Sequence, residues 1–98
     1  MKIIILPSAR RDLADGYDFY ECQGQGLGDY FEETLLSDID SLRLYAGIHF
    51  KVFSRYRLLS KRFPYAVYYD LEKETIRIWA VLDCRQEPAR IRRRLSRL

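Results

Sequence analysis

Residues 65–83, YAVYYDLEKETIRIWAVLD, decide the fold of this 98-residue chain. Two runs of β-branched, aromatic and aliphatic residues flank the polar EKE at 72–74, a pattern typical of two strands joined by a hairpin. A similar run, RYRLLSKRF at 55–63, precedes them and predicts a third strand. Side chains alternate between the faces of a strand. In the last strand, this alternation predicts a helix-facing side with Ile76, Ile78, Ala80 and Leu82. The other side carries Arg77, Trp79 and Val81.

Upstream of these strands, the sequence predicts a first strand and two helices. KIIIL at 2–6 is a short β-branched run, and Ser8 offers a hydroxyl to cap a helix that follows Pro7. Apolar residues then recur every three or four positions on both sides of GQGLG at 24–28, which suits a tight reversal. The first stripe is Ala9, Leu13, Tyr17 and Tyr20, with Asp12, Asp15, Asp18 and Glu21 expected on the outer face. The second stripe is Leu27, Phe31, Leu35, Ile39 and Leu42, widened by Tyr30 and Leu36.

The C-terminal segment EPARIRRRLSRL, residues 87–98, has helical spacing and a strongly basic character. Its apolar positions are Ile91, Leu95 and Leu98, and its basic ones Arg90, Arg92, Arg93, Arg94 and Arg97. The order β-α-α-β-β-β-α predicts an α+β fold, in which a helical hairpin packs on a mostly antiparallel sheet of about four strands. A chain of this length closes a single core, so we expect one domain over residues 1–98.

Composition points to a globular protein with an uneven charge distribution. Apolar residues make up 48% and charged residues 32% of the chain. Residues 1–49 hold four basic and nine acidic residues, giving −5, whereas residues 50–98 hold thirteen and five, giving +8. The second half should therefore attract an anionic partner. The sequence has no apolar run long enough for a membrane span and no signal peptide, so we expect a cytosolic protein in which Cys22 and Cys84 are free thiols.

The sequence offers few groups for catalysis. His49 is the only histidine, and no cysteine, histidine or acid spacing fits a metal site, so neither a metal nor a cofactor is expected. The glycines at 24–28 follow a predicted helix and lack the ending of a phosphate loop. A basic and aromatic cluster remains, which suits either single-stranded RNA or a solvated sheet face over core tyrosines. Its members are Lys51, Arg55, Tyr56, Arg57, Lys61, Arg62, Tyr65, Tyr68 and Tyr69.

Three segments together resemble the RelE/ParE superfamily of toxins from bacterial type II toxin-antitoxin systems. They are YECQGQGLGDYF at 20–31, LLSKRFPYAVYY at 58–69 and AVLDCRQEPARI at 80–91. The resemblance covers nearly the whole chain. It implies a toxin of a plasmid-stabilisation module that a cognate antitoxin neutralises by wrapping around it. RelE-like members cleave messenger RNA on the ribosome without a metal, and ParE-like members poison DNA gyrase.

The segment that follows AVL departs from the RNase pattern. Many relatives have a histidine and two adjacent arginines there, whereas this chain has Asp83, Cys84, Arg85 and Gln86. RNA cleavage needs groups that transfer protons, and Asp83 would repel a nearby phosphate. We therefore expect a non-enzymatic, ParE-like gyrase inhibitor, in which DCRQEP ends a strand, positions Arg85 and starts the tail at Pro88.

The partner-binding residues expected on this interpretation form a basic set that would meet an acidic, partly apolar antitoxin segment along residues 50–98. They are Arg85, Arg90, Arg92, Arg93 and Arg94. The alternative is a RelE-like, ribosome-dependent RNase, with phosphate held by Lys51, Arg55, Arg57, Lys61, Arg62 and Arg85 and protons moved by Tyr56 or Tyr68. A second alternative is an inactive remnant that retains only antitoxin binding.

Overall fold

The computed structural model describes residues 1–98 as a five-stranded sheet with helices on both faces. The elements in chain order are β1 Lys2–Ile5, α1 Pro7–Glu21, α2 Leu27–Asp40, α3 Leu42–Tyr45, β2 Lys51–Val52, β3 Arg55–Leu59, β4 Tyr65–Glu72, β5 Thr75–Asp83 and α4 Pro88–Ser96. The strand order is β1-β5-β4-β3-β2, and only β1 and β5 run parallel. This architecture confirms the predicted α+β class. No helix is long and apolar enough to cross a membrane.

Helices α1 and α2 form the predicted hairpin and cover one face of the sheet, here called the hairpin face. Their buried side chains meet those of β4 and β5 in one cluster, which includes Ala9, Leu13, Phe31, Leu35, Ile39, Val67, Tyr69, Ile76 and Ile78. The helices approach closely because Gly16 and Gly28 lack side chains: a Cβ at Gly16 would lie 2.4 Å from the Phe31 ring. The outer part of the second apolar stripe, Leu27, Tyr30 and Leu36, is exposed.

Helix α4 packs on the opposite face, here called the tail face. Ile91 and Leu95 lie there against a cluster of sheet side chains formed by Ala66, Tyr68, Ala80 and Leu82. Proline occupies the first turn of α4, as the sequence predicted, because its missing N–H is not needed there. Helix α4 therefore covers only part of the tail face, and Asp70 and Arg77 remain partly exposed there.

A bulge in β5 overturns part of the predicted strand alternation. Tyr68 pairs with Ala80 and Tyr69 pairs with Ile78, so Trp79 has no partner in β4. One extra residue moves every later side chain to the opposite face. Ile76 and Ile78 therefore meet the helical hairpin as predicted, but the assignment was wrong for three residues. Ala80 and Leu82 lie under α4, and Val81 packs with the hairpin.

Several local expectations also differ from the structure. Ser8 does not cap α1, because the helix begins at Pro7 and the Ser8 hydroxyl donates 2.6 Å to the Trp79 carbonyl instead. The run at 55–63 is a strand only as far as Leu59. The sheet gains a fifth, two-residue strand, β2, and residues 42–45 form the separate helix α3. Asp12, expected on the outer face of α1, is buried.

Candidate functional site

The exposed side of α4 presents a row of arginines. Its buried side is fixed by Ile91 and Leu95, and helical geometry places Arg92 and Arg93 outward. Arg90, Arg92, Arg93 and Arg97 are exposed, and they make no ion pair. This surface is the strongest concentration of free positive charge in the chain, and we call it the α4 basic face.

Arg94 differs from its neighbours because its charge is engaged inside the protein. Both of its terminal nitrogens donate to the carboxylate of Asp12, at 2.8 and 2.9 Å, and the Val81 backbone N–H donates 2.9 Å to the same carboxylate. Burial raises the pKa of Asp12, and the bonds from Arg94 and Val81 partly offset that effect. Because only 8% of Asp12 is exposed, removing Arg94 would leave a buried charge unpaired. Arg94 therefore links α4 to α1 and β5.

Arg85 is also satisfied within the chain. Its guanidinium donates two hydrogen bonds to the two carboxylate oxygens of Asp83, at 2.7 and 3.0 Å, and its backbone N–H donates a third at 2.8 Å. These bonds hold the pKa of Asp83 below its usual range. β5 ends at Asp83, as the sequence predicted for this segment, but the pair neutralises the charge that Arg85 would offer a partner.

The structure separates the residues of the RNase alternative onto different surfaces. On the tail face, Arg55 lies over the Trp79 ring, 4.6 Å from its centroid, and Arg57 is paired with Tyr68 across β3 and β4. On the hairpin face, the Lys51 ammonium lies 5.0 Å from the centroid of the Tyr56 ring, which stacks on Tyr69.

The remaining members of that set lie elsewhere again. Arg62 donates 3.1 Å to the hydroxyl of Tyr30 on α2, and Lys61 lines a cavity beside the same helix. Tyr68, which was a candidate for proton transfer, is 1% exposed, and burial raises the pKa of its phenol. A phenol that stays neutral and excluded from solvent is a poor base. The set therefore does not form one site.

The thiols and the histidine stand apart from one another. Cys22 and Cys84 are both free, as expected, and burial raises the pKa of Cys84, which disfavours a reactive thiolate. His49 Nδ1 and the Tyr69 hydroxyl share a hydrogen bond, and the same hydroxyl accepts 3.0 Å from the Gly47 backbone N–H. Residues 46–50 are thereby fastened to β4.

Sequence periodicity did not reveal an exposed apolar segment that runs from the end of α3 to the β2–β3 turn. Residues 44–53, which we call the apolar segment, carry five protruding side chains: Leu44, Tyr45, Ile48, Phe50 and Phe53. They follow neither a helical nor a strand period, so pattern analysis passes over them. The sequence does distinguish this part of the chain by its charge, because residues 41–69 contain six basic residues and no Asp or Glu.

The assembled elements define an α+β fold with helices on both faces of a five-stranded sheet. No family model and no curated protein matches the chain. Among solved structures, the chain is similar to one described as "Chromosomal ParDE TA system from P. aeruginosa". The TM-score is 0.68 and the sequence identity 17%, and the match covers 83% of this chain and 92% of the other. At that identity the likeness shows a shared fold.

Proposed function

We propose that this chain is the toxin component of a type II toxin-antitoxin module and is neutralised by a cognate antitoxin. The observation that carries the proposal is the fold shared with a chain of a ParDE system at a TM-score of 0.68. The three sequence segments that resemble RelE/ParE toxins lie on the α1–α2 turn, on β3–β4 and at the end of β5, and are consistent with it.

The α4 basic face is the proposed site of electrostatic contact with the antitoxin. Arg90, Arg92 and Arg93 are free to meet acidic side chains, since none of them has a partner within the chain. Arg85 and Arg94 were part of the expected set, but their carboxylate partners Asp83 and Asp12 already occupy them. We therefore assign these two residues to the fold and the first three to the interface.

A ParE-like action on DNA gyrase is favoured over RNA cleavage. Cleavage requires one group that activates the 2′-hydroxyl and another that protonates the leaving oxygen. The basic residues and tyrosines that would serve are divided between two sheet faces and a loop. Electrostatic stabilisation by Arg55 and Arg57 alone would lack both proton-transfer groups. Gyrase inhibition by a protein surface needs no such groups.

The test is induction of the chain in cells without the antitoxin. We expect DNA damage and filamentation while messenger RNA stays intact, and rescue of growth when the product of the adjacent reading frame is co-expressed. Primer extension on transcripts, with and without ribosomes, is the companion measurement. Ribosome-dependent cuts that disappear in an Arg57→Ala, Arg85→Ala double variant would replace gyrase by the ribosome as target. Growth unaffected by induction would identify an inactive remnant.

A further inference from the structure

The apolar segment exposes more hydrophobic surface than a solvated loop requires. Phe50 is 89% exposed, Leu44 81% and Ile48 72%. Single exposed apolar residues are common, but several within ten positions mark an interaction surface. Leu42, two residues before the segment, is fully buried, so the residues that precede the segment do not share its exposure.

Hydrogen bonds to β3 and β4 hold the backbone of the segment in place. His49 points inward to the Tyr69 hydroxyl, and the residues on both sides of it, Ile48 and Phe50, point outward. The Gly47 N–H bonds the same hydroxyl, and the Phe50 carbonyl accepts 3.0 Å from the Arg57 N–H. A backbone that is already held in place loses little conformational entropy when a partner buries its side chains, which favours tight binding.

The turn between β2 and β3 shows strain at the end of the segment. Phe53 and Ser54 both have positive φ, at 53° and 71°, which is the backbone of a two-residue hairpin turn that Asn-Gly normally occupies. A bulky aromatic residue in this conformation is rare, and such strain concentrates at functional sites. The aromatic ring is thereby carried at the tip of the hairpin, where it is partly exposed.

The charge beside the segment favours one kind of partner. Lys51 lies within the segment and Arg55 and Arg57 lie on the adjoining strand β3, and none of the three makes an ion pair. A second copy of this chain would bring the same charges together, which is unfavourable. An acidic segment with apolar side chains matches both properties of the surface.

The apolar segment is continuous with the α4 basic face. A groove of about 370 Å³ lies between them and is lined by residues of both, including Phe53, Arg55, Arg92 and Leu95. Val52 packs with the sheet cluster under α4. One extended polypeptide can therefore follow the arginines of α4 and reach Phe50 without leaving the surface.

We propose that residues 44–53 anchor an acidic, apolar segment of the antitoxin, with Ile48 and Phe50 as the main contacts. This inference rests on the proposed function and divides the interface into two parts. The α4 arginines accelerate association, and the apolar side chains slow dissociation, as buried anchors do in other complexes.

The experiment measures the affinity of the purified chain for the product of the adjacent reading frame. An Ile48→Ser, Phe50→Ser double variant should bind roughly 100-fold more weakly, mainly through a faster off-rate, because two large apolar side chains no longer become buried. Its melting temperature should equal that of the parent, since both side chains are already exposed. Leu44→Ser, on α3, provides an independent second variant with a smaller expected loss.

Phe19→Ser is the matched control, because Phe19 is also an exposed aromatic residue but lies on α1. The control should bind like the parent. If the parent itself does not bind, the proposed function fails. If the parent binds and the double variant stays within threefold of it, or the control loses as much affinity, the anchor is wrong while the function stands. Self-association of the parent that the double variant abolishes would replace the antitoxin by a second copy.

Discussion

At the scale of single residues, the Tyr69 hydroxyl connects the sheet to the apolar segment. It accepts 3.0 Å from the Gly47 N–H and shares a hydrogen bond with His49 Nδ1, in which the donor depends on the tautomer and charge of the imidazole. A protonated imidazole would be the donor in this bond, and the Tyr69 hydroxyl proton would then need another acceptor. The hydrogen bonds of one hydroxyl thus hold residues 46–50 against the sheet.

The stability of the protein should depend on the protonation of His49. Burial lowers its pKa below the ordinary value of about 6.5. Because the folded chain binds this proton less readily than the unfolded chain, the stabilisation is complete above about pH 6.5. It is lost as the pH falls through the lowered pKa. Thermal melts between pH 7.5 and 5 should therefore show a decreasing melting temperature.

The His49→Gln variant is the control for that series, because an amide can donate or accept a hydrogen bond but does not titrate. His49 is the only histidine, so the difference between the two pH curves isolates it from the carboxylates. Curves that run parallel from pH 7.5 to 5 would contradict the prediction.

At the scale of elements, the packing of α2 should contribute to the free energy of unfolding through Leu35 far more than through Leu36. Leu35 is fully buried in the cluster between hairpin and sheet, whereas Leu36 is 41% exposed. Leu35→Ala should lower the free energy of unfolding by about 2–5 kcal/mol, through lost burial and the cavity that remains. Leu36→Ala should cost less than about 1 kcal/mol. Urea denaturation of both variants measures the difference, and equal midpoints would place Leu35 outside the core.

The sequence predicted the elements better than it predicted their faces. Helical and strand periods identified α1, α2, β4, β5 and α4, because each spans enough residues to show a repeat. Alternation then failed at Trp79, since an unpaired residue in a bulge leaves no mark in the pattern. Short elements such as β2 and α3 carry less than one clear period and were missed for that reason.

Asp12 shows how tertiary context changes the assignment of a polar residue. The sequence predicted an outward position for Asp12, because other acidic residues recur with it every three positions along α1. β1 ends at Ile5, however, so the Val81 N–H of β5 lies beyond the reach of that strand and needs another acceptor. The Asp12 carboxylate provides it, and Arg94 compensates the buried charge. Such a three-element junction cannot be found from local spacing.

At the scale of the whole molecule, association with the antitoxin that we propose as partner should depend on salt and on the α4 basic face. An Arg92→Glu, Arg93→Glu variant should associate about tenfold more slowly at low ionic strength, and the difference should shrink as salt screens the charges. Arg94 is left unchanged because reversing it would destabilise the fold through Asp12. Stopped-flow binding at several salt concentrations measures the effect.

The control for this test is a Lys2→Glu, Lys73→Glu variant, which has the same net charge. Both lysines are exposed and lie where β5 begins, since Lys2 pairs with Thr75 and Lys73 is in the β4–β5 turn, whereas α4 follows the other end of β5. Equal slowing of the two variants would show that total charge, not the α4 basic face, steers the partner.

The candidate site was only partly accessible from the sequence. Composition correctly located the positive charge in the second half of the chain, because net charge needs no geometry. It could not distinguish Arg92, which is free, from Arg94, which is paired across 82 positions. The apolar segment was missed because exposure of Phe50 depends on how His49 and Tyr69 meet.

The parallel pairing of β1 with β5 also determines when the sheet can form during translation. Lys2 pairs with Thr75, so the first strand has no partner until most of the chain has been translated. At the usual rate of about 5–20 residues per second, β1 waits roughly 4–15 s on the ribosome. The link from Asp12 to Arg94 closes later still. A nascent chain thus remains open until α4 emerges, and any activity that needs the closed sheet begins only after Arg94 has been synthesised.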